Sequence, residues 1–302
     1  MKLKLNPREW FGGATEEYQD PYGQPGTGKS THISIVTIVV MLFSWWLATF
    51  LELVPPLFLP SPEMVMSKFV RISCIDHYWQ SALVGLGLAG EVTAECQGFS
   101  ENPLHMHIFW SLYRVFTSFF LAIVTAIPIG IAMGMNRYAR GIFDPPIEFY
   151  RPIPPLAYLP LTIIWFGIGD SGKIFLIYLA CFAPLAISAR AGVRSCSIEQ
   201  IHAAYSMGAT HNQVIWHVVL KAAMPEILTG MRISIAFGWT TLVAAEMVAA
   251  KAGIGVMVLN AARFLATDIV FLGIIVIGLV AFIFDSLMRR LEGTVVPWKG
   301  RM

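Results

Sequence analysis

The chain has 302 residues, 56% of them hydrophobic and 13% charged, which is about half the charge of an average soluble protein. That composition excludes a water-soluble globular domain, and a net charge of only +2 gives no electrostatic reason for a nucleic-acid partner. The apolar runs and the placement of the few charges carry the information instead.

Residues 1–32 are polar and glycine-rich and are expected to form a cytosolic tail. Within them Gly23-Gln24-Pro25-Gly26-Thr27-Gly28-Lys29-Ser30 fits the pattern of a phosphate-binding loop. That loop works only between a buried strand and a soluble helix whose N-terminus meets the phosphates. Here Glu16 to Asp20 precede it and Thr31 leads straight into an apolar run, so the match is read as a linker with Lys29 as an inner-face anchor. No secretory signal is expected, because the first apolar run starts only at residue 33 and is too long for a signal core.

A bilayer core about 30 Å thick needs ~20 apolar helical residues, and six stretches qualify. They are Ile33 to Leu51, Val115 to Met135, Ile153 to Gly169, Ile174 to Ala189, Ile227 to Ala250 and Ile269 to Phe284. The third holds Pro154, Pro155 and Pro160, so a kinked or irregular start is expected. With the N-terminus inside, cytosolic segments carry fourteen Lys and Arg residues and outer segments five, so the positive-inside rule selects N-in and C-in. The expected fold is an all-α integral membrane protein of about six transmembrane helices. Its parts are a tail (1–32), a first span (33–53), a periplasmic loop (54–110), a core (111–290) and a cytosolic C-terminal tail (291–302).

Cys74 and Cys96 share the outer loop, where an oxidising periplasm permits a disulfide; two free thiols are the alternative. His105 and His107 lack a carboxylate or cysteine partner, so no metal is expected. Asp170 and Lys173 flank an outer turn, either solvating it or meeting a partner. Arg232 and Glu246 fall inside the fifth span, where a charge costs about 2.5–3.5 kcal/mol. Fourteen residues apart, they stand about 21 Å apart along a helix and about 40° apart around it. They therefore share a face, either lining a pathway or reaching an interface and a neighbouring helix.

The cytosolic stretch 197–225 is too polar to span and too patterned for a loose loop. Ser197 with Gln200 and Thr210 with Gln213 form two capping boxes, and Gly208 between them suits the left-handed end of a helix. Two short helices are expected, the second bearing Val214, Ile215, Trp216, Val218 and Val219. They form either a connector packed on its own protein or a docking piece.

His202-Ala203-Ala204, Gly208, then Val218 and Leu220 after nine residues, resemble the signature of permease subunits of bacterial ATP-binding cassette (ABC) importers. His202 replaces the usual glutamate, and Lys221 the usual proline, with Pro225 following. Tyr150-Arg151-Pro152-Ile153-Pro154-Pro155-Leu156-Ala157, Trp165-Phe166-Gly167-Ile168-Gly169-Asp170, Pro225-Glu226-Ile227-Leu228-Thr229-Gly230-Met231-Arg232 and Thr241-Leu242-Val243-Ala244-Ala245-Glu246 resemble the branch importing taurine, other sulfonates, nitrate and bicarbonate, its taurine permeases most of all. The resemblance spans about 40–70 and 105–300; the loop from Cys74 to His105 departs from it.

The resemblance implies a type I importer permease of the bacterial inner membrane, working as a homodimer in the lipid bilayer. It implies two cytosolic ATPase subunits and a periplasmic substrate-binding protein, with ATP and Mg on the ATPases and no cofactor on this chain. It assigns coupling to His202, Ala203, Ala204, Gly208, Val218, Leu220 and Pro225, and leaves Arg232 and Glu246 as pathway candidates. No nucleophile with a base stands near a membrane face to suggest an enzyme. A self-sufficient secondary transporter would be expected to show more buried acids or an inverted repeat.

Overall fold

The computed structural model describes residues 31–74, 77–78, 80–81 and 102–297. The phosphate-loop look-alike at 23–30 and residues 82–101 of the outer loop, Cys96 included, lie outside the described residues. The chain divides into two compact units, residues 1–66 and 67–302. In the first, α1 (Thr31–Phe50) is apolar on every side, as a helix solvated by lipid must be. A turn follows in which Trp45 Nε1 donates to the Pro60 carbonyl at 3.1 Å. α2 (Pro62–Ser73) crosses the boundary between the units.

The second unit is built on α3 (Leu104–Met135), α4 (Arg137–Tyr150), a 3₁₀ turn (Pro155–Tyr158), α5 (Leu159–Phe166), α6 (Asp170–Ser195) and α7 (Ile198–Ser206). α8 (His211–Val214), a π-helical turn (Ile215–Val219), α9 (Leu220–Ala249), α10 (Ile254–Arg263) and α11 (Thr267–Val295) complete it. Among the described residues five helices are long and apolar enough to cross a membrane, ending with the continuous run His211–Val248 and with Thr267–Val295.

The third expected span is not a helix of that length. α5 has eight residues, about 12 Å at 1.5 Å each. A crossing is nevertheless required here, and helix direction shows why. Ser118 of α3 bonds to the Ile174 carbonyl of α6, and a Cβ on Gly130 would stand 2.4 Å from the Ala186 carbonyl oxygen. Rising numbers meet rising numbers, so α3 and α6 run parallel, and residues 136–169 must return the chain to its starting side. Asp144 of α4 lies at the level of Arg190, and the Gly167 carbonyl at the level of Gly172. Those α6 levels are about 27 Å apart at 1.5 Å per residue. The crossing is thus composite, because Pro152, Pro154 and Pro155 remove the backbone donors that a continuous helix needs.

α9 runs antiparallel to α6: Gly230 abuts Ser188, and Cys181 Sγ bonds to the Ser234 carbonyl at 3.3 Å. Small residues let these backbones approach, since in lipid packing replaces the hydrophobic drive between helices. The central core is Val115, Phe119, Ala122, Ala126, Ile177, Cys181, Leu185, Ile235, Trp239 and Leu242, with Phe284 from α11.

Candidate functional site

The inner end of the bundle carries the knob expected from residues 197–225. Ser197 accepts from the Gln200 amide while the Gln200 side chain accepts from the Ser197 amide, so α7 begins where the capping box predicts. The Glu199 carboxyl is held below the ordinary carboxylate range by its own backbone N–H and by the Ser197 hydroxyl. Gly208 stops α7 with φ +81°, the left-handed conformation that a glycine adopts without steric cost. The second helix is not separate, as expected, but opens the α9 run. Thr210 caps α8, and the π-helical turn absorbs an extra residue before α9.

Ala204, Val214 and Val219 are buried with Ala189, Val193, Cys196, Ala223 and Ile227, and Val218 and Leu220 are half-buried against them. His202, Ala203 and Gly208 are exposed, and Pro225 lies half-buried within α9. The outer surface of the knob keeps Ile198, Met207 and Trp216 at 65%, 82% and 65% exposure. Its inner side is thus bolted to α6 and α9 while a mixed apolar and polar surface remains uncovered.

At the opposite end lies a buried ionic cluster that the sequence did not reveal. Arg114, 3% exposed in its side chain, donates from Nη1 to Glu246 Oε1 and to the Ala252 carbonyl, both at 2.7 Å, and from Nε to Asp170 Oδ1 at 2.8 Å. The Glu246 carboxylate, with no exposed surface, also accepts from Ser111 Oγ at 2.8 Å and the Gly255 amide at 2.9 Å. His107 Nδ1 stands 2.9 Å from the Gly253 carbonyl. Lys173 is 4% exposed and donates to the Ile168 and Gly169 carbonyls. It pins the turn before α6 instead of solvating it.

This geometry revises the shared face of Arg232 and Glu246. Arg232 turns to α11, 3.3 Å from both Asp285 and Glu292, whereas Glu246 is enclosed by α3 and the start of α10. One helical face meets different neighbours at its two ends, so the two charges line no common surface. Ser111 and Ser118, one turn either side of Arg114, were the available signal. Cys74 takes part in a disulfide, and Cys96, its expected partner, lies outside the described residues. Cys181 and Cys196 are free. Among the described residues no group of three metal-ligating side chains is present.

Residues 126–296 match the family described as the binding-protein-dependent transport system inner membrane component. The match covers more than half of the chain and includes the knob. The chain belongs to this family. The permease is 48% identical over 274 residues to the taurine transport system permease protein TauC of Escherichia coli, covering 91% of this chain and 92% of that one. It is 30% identical over 254 residues to the putative aliphatic sulfonates transport permease protein SsuC of E. coli, covering 84% and 87%. It is also 30% identical over 200 residues to the nitrate import permease protein NrtB of Synechocystis, covering 66% and 73%. An inward-facing structure of the MetNI methionine ABC transporter superposes with a TM-score of 0.53 at 19% identity, covering 64% of this chain and 95% of that one, which supports the fold. The permease is therefore a multi-pass inner-membrane transport subunit of the taurine, sulfonate and nitrate branch of ABC permeases.

Proposed function

We propose that two copies of this permease form the translocation path for a small anion, taurine or another sulfonate in first place and nitrate or bicarbonate as the alternative. A periplasmic binding protein delivers the substrate, and two cytosolic subunits hydrolyse ATP with Mg; no cofactor is assigned to this chain. The observation that carries the reading is the knob. Its inner side is locked into α6 and α9 while Ile198, Met207 and Trp216 stand uncovered, so a push on the knob reaches two spanning helices as a rigid-body movement. His202, Ala203 and Gly208 supply the docking region, and Ala204, Val218, Leu220 and Pro225 join it to α6 and α9.

The test is co-expression with the cognate ATPase and binding protein, then uptake of labelled taurine, isethionate, nitrate and bicarbonate into vesicles alongside ATP hydrolysis. Substrate-stimulated hydrolysis with sulfonate uptake is expected. Gly208→Val forces a β-branched residue to φ +81°, a strain of about 1–3 kcal/mol, although nothing crowds the added Cβ. It should leave insertion intact and uncouple hydrolysis from uptake. Unchanged uptake by this variant would remove the coupling role.

A further inference from the structure

The break in the third crossing opens onto a cavity of about 400 Å³, within the range of small-molecule sites. Its walls are the irregular stretch from Tyr150 to Pro155, the α6 segment from Leu179 to Ser188, and Ile233 and Phe237 of α9. Those α6 positions occupy the middle of a 26-residue helix and those of α9 the middle of a 30-residue one, so the cavity sits near mid-membrane.

Two observations point to a ligand. Irregular backbone is tolerated at membrane depth only inside protein or beside a wet cavity, and broken helices in transporters commonly mark substrate sites. Among the described residues Arg151, its side chain 55% exposed, is the one charged residue on the wall, and no carboxylate lines it. Its acidic neighbour Glu148 lies 3.5 Å away, outside the lining, and is also approached by Arg190 at 3.6 Å. Arg232 and Glu246, the charges singled out by sequence, do not line this cavity.

We propose that this cavity is a mid-membrane binding site for a small organic anion of the sulfonate class, with Arg151 supplying the charge. The proposal rests on the sulfonate-import reading for its ligand class. A guanidinium beside low-dielectric walls concentrates anions and repels cations, and pairs in a fork with an oxyanion.

The experiment uses the assembled transporter in proteoliposomes, with Ile233→Cys as a reporter. Ile233 is 45% exposed, so the change removes little core packing. Cys181 and Cys196 are 0% and 8% exposed, and the unsubstituted chain supplies the blank for all native thiols. The sulfonatoethyl and trimethylammonioethyl methanethiosulfonates are compared, each with and without taurine. Expected are labelling on the order of tenfold faster by the anionic reagent once each rate is divided by that reagent's rate with a small thiol in solution, protection by taurine, and loss of both on Arg151→Gln. Equal rates, faster labelling by the cation, or no taurine protection in vesicles that import taurine would overturn the site. Preference and protection in vesicles that import no sulfonate would support the site and refute the proposed transport substrate instead.

Discussion

Replacing Glu246 with leucine removes the centre of the outer ionic cluster. At 2.7 Å the gross attraction between Arg114 and Glu246 is about 6 kcal/mol at an effective dielectric constant of ~20. Desolvation of both groups offsets much of that, so the intact pair adds little over an apolar pair of the same volume. Removing one partner is different, since a buried guanidinium and the Gly255 amide then lose their acceptor, at about 3–5 kcal/mol. Asp170, which still pairs with Arg114 at 2.8 Å, places the expected loss near the lower end, about 3 kcal/mol. That is a large share of the roughly 5–15 kcal/mol that stabilises a folded domain. The double variant Arg114→Met with Glu246→Leu should recover about 2 kcal/mol relative to the sum of the singles. Reversible unfolding in mixed micelles, monitored by tryptophan fluorescence, measures all four corners of the cycle. Additive single effects, or a cost below about 1 kcal/mol for Glu246→Leu, would refute the reasoning that these charges interlock the outer ends of α3, α6 and α9.

Two packing contrasts follow from the same structure. Gly253→Ala puts a methyl group 2.4 Å from the Glu246 carboxylate at φ +146°, so it should destabilise about as much as Glu246→Leu. Gly278→Ala, in α11 with nothing within 4 Å, should be neutral or stabilising by up to about 1 kcal/mol, read in the same unfolding assay. Gly130→Ala places its Cβ 2.4 Å from the Ala186 carbonyl oxygen and 2.6 Å from Ala189 Cβ, backbone and a short side chain that cannot swing away. It should cost about 1–3 kcal/mol and lower the yield of folded permease on size-exclusion chromatography.

Charge-free runs and two capping boxes sufficed to give the membrane class and the knob, because each follows from local rules. Lipid demands long apolar helices, and a cap needs only its neighbours within one turn. The short motif around Ala203, Ala204 and Gly208 likewise stood out because small residues and a left-handed glycine are needed at fixed spacings. What composition and spacing did not give was the destination of each charge. Arg232 and Glu246 share a face of α9, yet one meets α11 and the other α3, since neighbouring helices cover different lengths of that face. Arg114 stood at the edge of an apolar run until α3 proved to begin at Leu104, which carries it inside. The prolines foretold a disturbed third crossing, but only the parallel packing of α3 and α6 shows that this stretch must still cross. Only the tertiary structure shows that its break borders a cavity, because a void is defined by atoms from helices distant in sequence.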